Sequence, residues 1–222
     1  MARRVYATVL NAAANSDGHK QQDITCQSGQ RQKELISRVY EEANIDPLQV
    51  TYVEAHGIGT TFGDAQELDA IAHILCPNRK EPLLIGSIKS NIGHTESSSG
   101  LCSVAKVLLA MEEGIIPGNL HFKEPNEGVP ALKDGRFRVV DRNTPWKGGL
   151  IAIHSYGLGG SNAHVVLRPA SPSRISIPTC KDVHRLVTVS GRTEEAVKAI
   201  LDQVSHFLMQ CKRNVESSTC CV

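Results

Sequence analysis

Two histidines, a lysine and a glutamate are the residues here best suited to chemistry. His56 sits in EAHGIGT, and Lys89, His94 and Glu96 sit in GSIKSNIGHTESSSG, residues 86–100. Each histidine closes a strand-then-turn unit, in turns rich in Gly and Ser where a ligand can approach the backbone closely. A third Gly-rich turn, SYGLGGSNAH, follows at residues 155–164. Imidazoles, an ammonium and free backbone N–H groups gathered at one edge of a sheet suit reactions at a carbonyl. The imidazoles donate to a developing oxyanion, and the Gly-rich turn offers a further N–H.

Holding those turns together requires strands that end side by side. Val5–Asn11 reads as a buried strand, closed by the turn residues 15–18. Ser28 is the expected N-cap of a helix over Gln30–Ala43, with Leu35, Ile36, Val39 and Tyr40 on one face and a stop at Asn44 and Pro47. Val50–Ala55 is a strand that delivers His56 to its C-terminal end. Asp64 and Glu67 have the spacing of a capping box at the start of the next helix, whose stripe is Leu68, Ile71, Ala72 and Leu75. On that reading Asp64 is a cap rather than an acid catalyst. Leu83–Ile88 is a short buried strand feeding the 86–100 turn. The stretch LCSVAKVLLAMEEG then has Lys106 as its sole charge before Glu112, the pattern of a helix enclosed on every side. After an irregular segment, 114–135, strands are expected at Phe137–Val140, Gly149–His154 and Ala163–Leu167. Strands and helices in alternation, then a hairpin, give an α/β pattern around a largely buried sheet.

Length and composition narrow the partners. The 222 residues suit one large domain, or one domain and a piece of another. A net charge of +1 gives no electrostatic footprint for nucleic acid or an anionic membrane surface, and no apolar run reaches a membrane span. Seven cysteines without CxxC pairing argue for reduced thiols in a cytoplasmic protein. No metal site is expected, since His154 and His164 have spacing that suits packing no less than ligation. Composition shifts at Pro169, so 169–185 reads as a linker. Residues 186–210 follow as the start of a further α/β linker domain, with a strand in LVTVS and a helix over Thr193–Met209 that turns Ala196, Val197, Ile200, Val204 and Phe207 inward. Residues 211–222 read as a disordered tail.

Three long segments, VEAHGIGTTFGDAQE, GSIKSNIGHTESSSGL and SYGLGGSNAHVVL, in that order and separation, resemble the C-terminal half of the β-ketoacyl synthase (ketosynthase) domain. The resemblance covers roughly residues 4–168, and the flanking text is most similar to an animal-type (type I) fatty acid synthase, with a related polyketide synthase as the alternative. It implies the C-terminal half of a thiolase-like fold, layered α-β-α-β-α in the full domain and usually homodimeric. It also implies decarboxylative condensation of acyl and malonyl thioesters on acyl carrier protein. No cofactor is bound directly; the phosphopantetheine arm of the carrier protein brings the substrate.

The family's catalytic histidines fall on His56 and His94, which would bind the malonyl thioester oxygen as CO2 leaves. Its essential lysine falls on Lys89, with Glu96 as structural acidic partner and the backbone of Leu158 as an oxyanion donor. Thr60 matches a pantetheine-binding position, whereas Ile58 departs from the threonine of the family pattern HGTGT. The family turn NSFGFGG reads HSYGLGG here, putting His154 for Asn and Leu158 for Phe, and such changes point to relaxed selection or an error-prone gene model. The family's Cys nucleophile lies in a TACSS-like turn of the N-terminal half, and none of the seven cysteines here has that context. The chain is therefore expected to be inactive alone and to need the other ketosynthase half or a second ketosynthase chain. Without it, the Leu101–Met111 helix would leave an apolar face uncovered. A non-catalytic truncated paralogue or gene-model fragment, with at most a binding role, is the competing reading.

Overall fold

The structure, a computed structural model, describes residues 5–19, 27–170 and 188–217, the last with side chains to residue 206. In chain order these form β1 (Ala7–Ser16), α1 (Gly29–Ala43), β2 (Val50–Glu54), α2 (Thr61–Leu75), β3 (Leu83–Gly86), α3 (Lys89–Ile92), α4 (Ser99–Glu113), β4 (Ile115–Ile116), α5 (Pro130–Lys133), β5 (Phe137–Val139), β6 (Thr144–Pro145), β7 (Leu150–Tyr156), β8 (Ser161–Pro169) and α6 (Glu194–Ser217). Six strands make one sheet in the order β1-β8-β7-β2-β3-β5, and β4 pairs with β6 apart from it. The pairs β2–β3, β2–β7 and β3–β5 are parallel; β8 runs antiparallel to both neighbours.

Period-two alternation sends side chains of the central strands into two cores. Val50, Val53 and Ala152 pack with Leu35, Ile36 and Val39 of α1 and Ile71 and Leu75 of α2. Tyr52, Ile151 and Ile153 pack on the other face with Val107 of α4 and Ile116. The result is an α/β/α sandwich, and each large side chain so buried contributes roughly 1.5–3 kcal/mol. Helix α1 starts and stops where its sequence directs. Ser28 Oγ accepts the Arg31 N–H at 3.3 Å, and Asn44 takes the left-handed conformation at φ 50°.

Three expectations are corrected. The first strand is the edge of the sheet and lies half in solvent, with Val9 58 % exposed; α1 packs against one of its faces. The Asp64–Glu67 capping box does not form. Thr60 is the N-cap, its Oγ1 accepting the Gly63 N–H at 3.2 Å, while Asp64 accepts the Gly59 N–H. Helix α4 is not enclosed: Leu101 and Leu109 are 74 % and 61 % exposed, while its one cation, Lys106, is inside.

The chain divides into two compact units at residues 173 and 174. The linker expected at 169–185 lies outside the described residues from 171 onward, as do residues 186 and 187 of the expected strand; 188–190 form none. Helix α6 runs on to Ser217, so the expected tail is helical through CKRNVES, which contains no Gly or Pro and includes good helix formers. Ala196, Val197 and Val204 are half-buried on it, whereas Ile200 is exposed and Phe207 falls outside the described side chains.

Candidate active site

Strand β2 ends at Glu54, and two residues later His56 is 2 % exposed. Its position is fixed by a carboxylate from α2. Glu67 Oε1 accepts the His56 N–H at 2.7 Å, and Oε2 accepts the Gly57 N–H at 2.9 Å. The chain can turn away there because residue 57 is glycine. Its φ is +48°, and a Cβ would come within 3.0 Å of the Ser87 side chain. On the ring itself, the Tyr156 backbone N–H donates to His56 Nδ1 at 3.3 Å. A ring nitrogen that accepts an N–H carries no proton, so the proton resides on Nε2.

His94 receives the same treatment from a different element. The Glu96 N–H donates to His94 Nδ1 at 2.8 Å, leaving Nε2–H free to donate. Glu96 adopts φ 48° to do so, a conformation that costs a non-glycine residue roughly 1–2 kcal/mol. Both imidazoles thus present the same donor, and the rings meet edge to face with centroids 5.6 Å apart. Burial, then the charges of Lys89 and His94, lowers the His56 pKa to about 3, so this ring is a neutral hydrogen-bond donor at physiological pH.

Lys89 begins α3 directly after Ile88, and the Ile88 N–H is held by Glu54 Oε1 at 2.6 Å. The other oxygen of Glu54 takes Lys106 Nζ at 2.6 Å and the Tyr52 hydroxyl at 2.7 Å, all in the interior. A buried ion pair of this kind ties α4 to β2 and to the loop that carries Lys89. Half-burial lowers the Lys89 ammonium below its ordinary value against the opposing charges of Glu67, Glu54 and Asp64. Those are the carboxylates that reach it. Glu96, expected as its acidic partner, is exposed and serves His94 through its backbone instead.

Lys89 and His94 border a cleft of about 560 Å³, with Gly57, Ile58 and Glu67 on the same side and Asn119, Phe122 and Asn126 among the residues opposite; His56 is buried behind its glycine and is not itself in the lining. Ile58 lies in its wall, 36 % exposed. Thr60 is not in the lining and spends its hydroxyl on the helix cap. Leu158 is at the exposed β7–β8 turn, 68 % accessible, outside the cleft lining; among the described residues its N–H meets no acceptor. Of the described free cysteines, Cys76 is buried and Cys102 is half-buried with its sulfur on the Thr95 hydroxyl; neither lines the cleft. Among the described residues no His, Cys, Asp and Glu cluster could hold a metal.

His154 and His164, read as packing residues, are fully buried with ring centroids 4.6 Å apart. Glu67 and Lys106 are the residues that sequence reasoning missed. The available signal was a charge on the inward stripe of each helix: Glu67 lies one turn before Ile71, and Lys106 lies one turn after Ser103 and one turn before Ala110, both buried.

Residues 6–123 match the family described as "Beta-ketoacyl synthase, C-terminal domain". The chain belongs to that family. A second match, "Ketoacyl-synthetase C-terminal extension", covers residues 125–218, so β5, β7 and β8 of one sheet fall within it. Among curated relatives, the ketosynthase chain is 41 % identical over 212 residues to the hybrid PKS-NRPS synthetase pyvA of Aspergillus violaceofuscus, covering 92 % of this chain and 6 % of that protein. It is 40 % identical over 206 residues to the highly reducing polyketide synthase SAT13 of Stachybotrys chartarum, covering 89 % of this chain and 8 % of the relative. Among solved structures, the ketosynthase from module 6 of the bacillaene synthase of Bacillus subtilis matches with a TM-score of 0.72 at 31 % identity, over 93 % of this chain and 36 % of that one. The oxazolomycin ketosynthase domain of Streptomyces albus gives 0.71 at 33 %, over 76 % and 30 %. The fold is accordingly that of thiolase-like ketosynthases, of which this chain spans about a third. These relatives are polyketide-type enzymes, a finding that fits the polyketide alternative better than the animal-type fatty acid synthase suggested by the flanking residues. No described helix is long and apolar enough to cross a membrane.

Proposed function

We propose that this ketosynthase chain supplies the malonyl-binding side of a polyketide synthase condensing site. The observation that carries the reading is the matched pair of imidazoles. Each accepts a backbone N–H on Nδ1 and offers Nε2–H from neighbouring positions, 5.6 Å between ring centres. Two Nε2–H donors of that kind suit a thioester oxygen. As the bond between the malonyl methylene and its carboxylate breaks, CO2 departs and the electron pair moves through the α-carbon onto that oxygen, where both Nε2–H groups meet the enolate. The enolate carbon then attacks an acyl thioester carbonyl and the sulfur leaves as thiolate. Lys89 supports His94 and the departing carboxylate by its charge. The phosphopantetheine arm of an acyl carrier protein would deliver the malonyl group through the cleft beside Ile58.

The acyl-bearing sulfur would come from the part of a ketosynthase that this chain does not span. The exposed Leu101 and Leu109 of α4 favour a covering partner of that kind, whether contiguous or on another chain. The test is CO2 release from a malonyl thioester by the full chain, with and without an N-terminal ketosynthase half, for the native sequence and for His56→Ala and His94→Ala. Loss of about 10²–10³ in rate per donor is expected. Release that neither substitution alters would refute the reading and favour a non-catalytic binding role.

A further inference from the structure

Behind His56 lies a buried polar cluster that the proposed chemistry does not use. His154 and Tyr156 are two residues apart on β7, so they share one face of the strand. They are 0 % and 4 % exposed, and His154 Nδ1 lies 2.7 Å from the Tyr156 hydroxyl. The same nitrogen is 3.6 Å from Glu67 Oε1. Two routes therefore lead from His154 to His56. One passes through Tyr156, whose backbone N–H is on His56 Nδ1 and whose ring centre is 5.5 Å from that of His56. The other passes through Glu67, which holds the His56 and Gly57 N–H groups.

A buried phenol and a buried imidazole each carry a desolvation cost unless partnered. Here each is the other's partner, because His154 Nε2 has none among the described residues. Replacing either one alone would strand a polar atom of the other.

We propose that His154 and Tyr156 act as one positioning unit for His56. Their side-chain hydrogen bond fixes the end of β7 so that its N–H stays on His56 Nδ1, which reserves Nε2–H for the substrate oxygen. The idea rests on His56 as an oxyanion donor, but its test reads the imidazole itself and so can fail independently of the proposed reaction.

The test is the imidazole ¹⁵N–¹H spectrum of the full chain between about pH 5 and 8, where an ordinary imidazole titrates, recorded beside a thermal melt. Four sequences are compared: native, Tyr156→Phe, His154→Asn and the double variant. In the native chain His56 should hold one neutral tautomer, Nε2–H, throughout. Each single variant should populate both tautomers and bring His56 titration into this window. The double variant lacks the same hydrogen bond and should show the same change as the single variants rather than the sum of two. Lys89, His94 and Glu67 face His56 and are unchanged in all four; His154 and Tyr156 also face it, and burial keeps both neutral in this window, so replacing them removes no charge and a shift reports position. The proposal is overturned if Tyr156→Phe leaves the His56 tautomer unaltered while only the melting temperature moves, or if the double variant, which has no such hydrogen bond, keeps the native spectrum. Tyr156→Phe removes one oxygen and keeps every backbone donor, so its spectrum decides the matter should His154→Asn fail to fold.

Discussion

Glu67 gives the sharpest handle on the site, because one carboxylate holds two backbone N–H groups while being almost wholly desolvated. Burial pushes its pKa from the ordinary 4.5 up to about 7, against the pull of those two N–H groups and of Lys89. The sign follows from linkage. Between about 4.5 and 7 the unfolded chain has released this proton while the folded chain retains it, so stability falls as pH rises through that window. From about pH 5 to pH 8 the loss amounts to roughly 2.5 kcal/mol. For a chain of this size that is a drop of about 5–10 °C in melting temperature. Glu67→Gln removes the ionisation but substitutes an amide N–H₂ for one acceptor, stranding a buried N–H at a cost of about 1–3 kcal/mol at all pH values. The variant's melting temperature should therefore lie below native at acidic pH and meet it near pH 8. The assay is thermal unfolding of both chains across that range in constant ionic strength. Parallel profiles would refute the argument, since they would mean that Glu67 is ionised in the fold at pH 5 or is not the buried titrating group.

Two further substitutions separate backbone roles from side-chain roles. Glu96→Ala keeps the N–H that binds His94 Nδ1, so the His94 tautomer should persist in the imidazole spectrum and stability should change by less than about 0.5 kcal/mol, as for an ordinary surface change; a lost tautomer would return the role to the carboxylate. Lys106→Met leaves the Glu54 carboxylate buried without its cation. It should cost about 3–5 kcal/mol in chemical denaturation, enough to unfold much of the population, and a loss below ~1 kcal/mol would show that the pair does not organise the loop before Lys89.

How much of this was legible in the sequence differs by residue type. Helix α1 was readable in full, because Ser28, its inward stripe and Asn44 are local signals that agree with one another. The central strands were readable as apolar runs, and the convergence of His56 and His94 followed from placing two strand–turn units beside each other in a parallel sheet. Edge position was not readable. Val5–Asn11 has the composition of an interior strand, and only the pairing of β1 with β8 on one side shows that its other side is open.

The misread charges share one cause. Glu67, Lys106 and Glu96 were each assigned by the habits of exposed side chains: a cap, an incidental charge, an acidic neighbour. Glu67 and Lys106 are instead drawn inside by partners distant in sequence. Lys106 lies 52 residues from Glu54, and Glu67 reaches back 11 residues to the His56 N–H. Local periodicity carries no record of such partners, whereas desolvation makes leaving them unpaired expensive, so each buried charge in this chain marks a constraint on the loop it touches. Glu54 fixes the entry to Lys89, Glu67 fixes His56, and His154 stands against Glu67. The apolar outer face of α4 is the converse case. Its helix turns its cation inward on the sheet and presents Leu101 and Leu109 outward. Positioning of the Lys89 loop and exposure of that face thus arise from the same choice: the one cation of α4 is used inside on Glu54, which leaves the outward face of the helix apolar at Leu101 and Leu109.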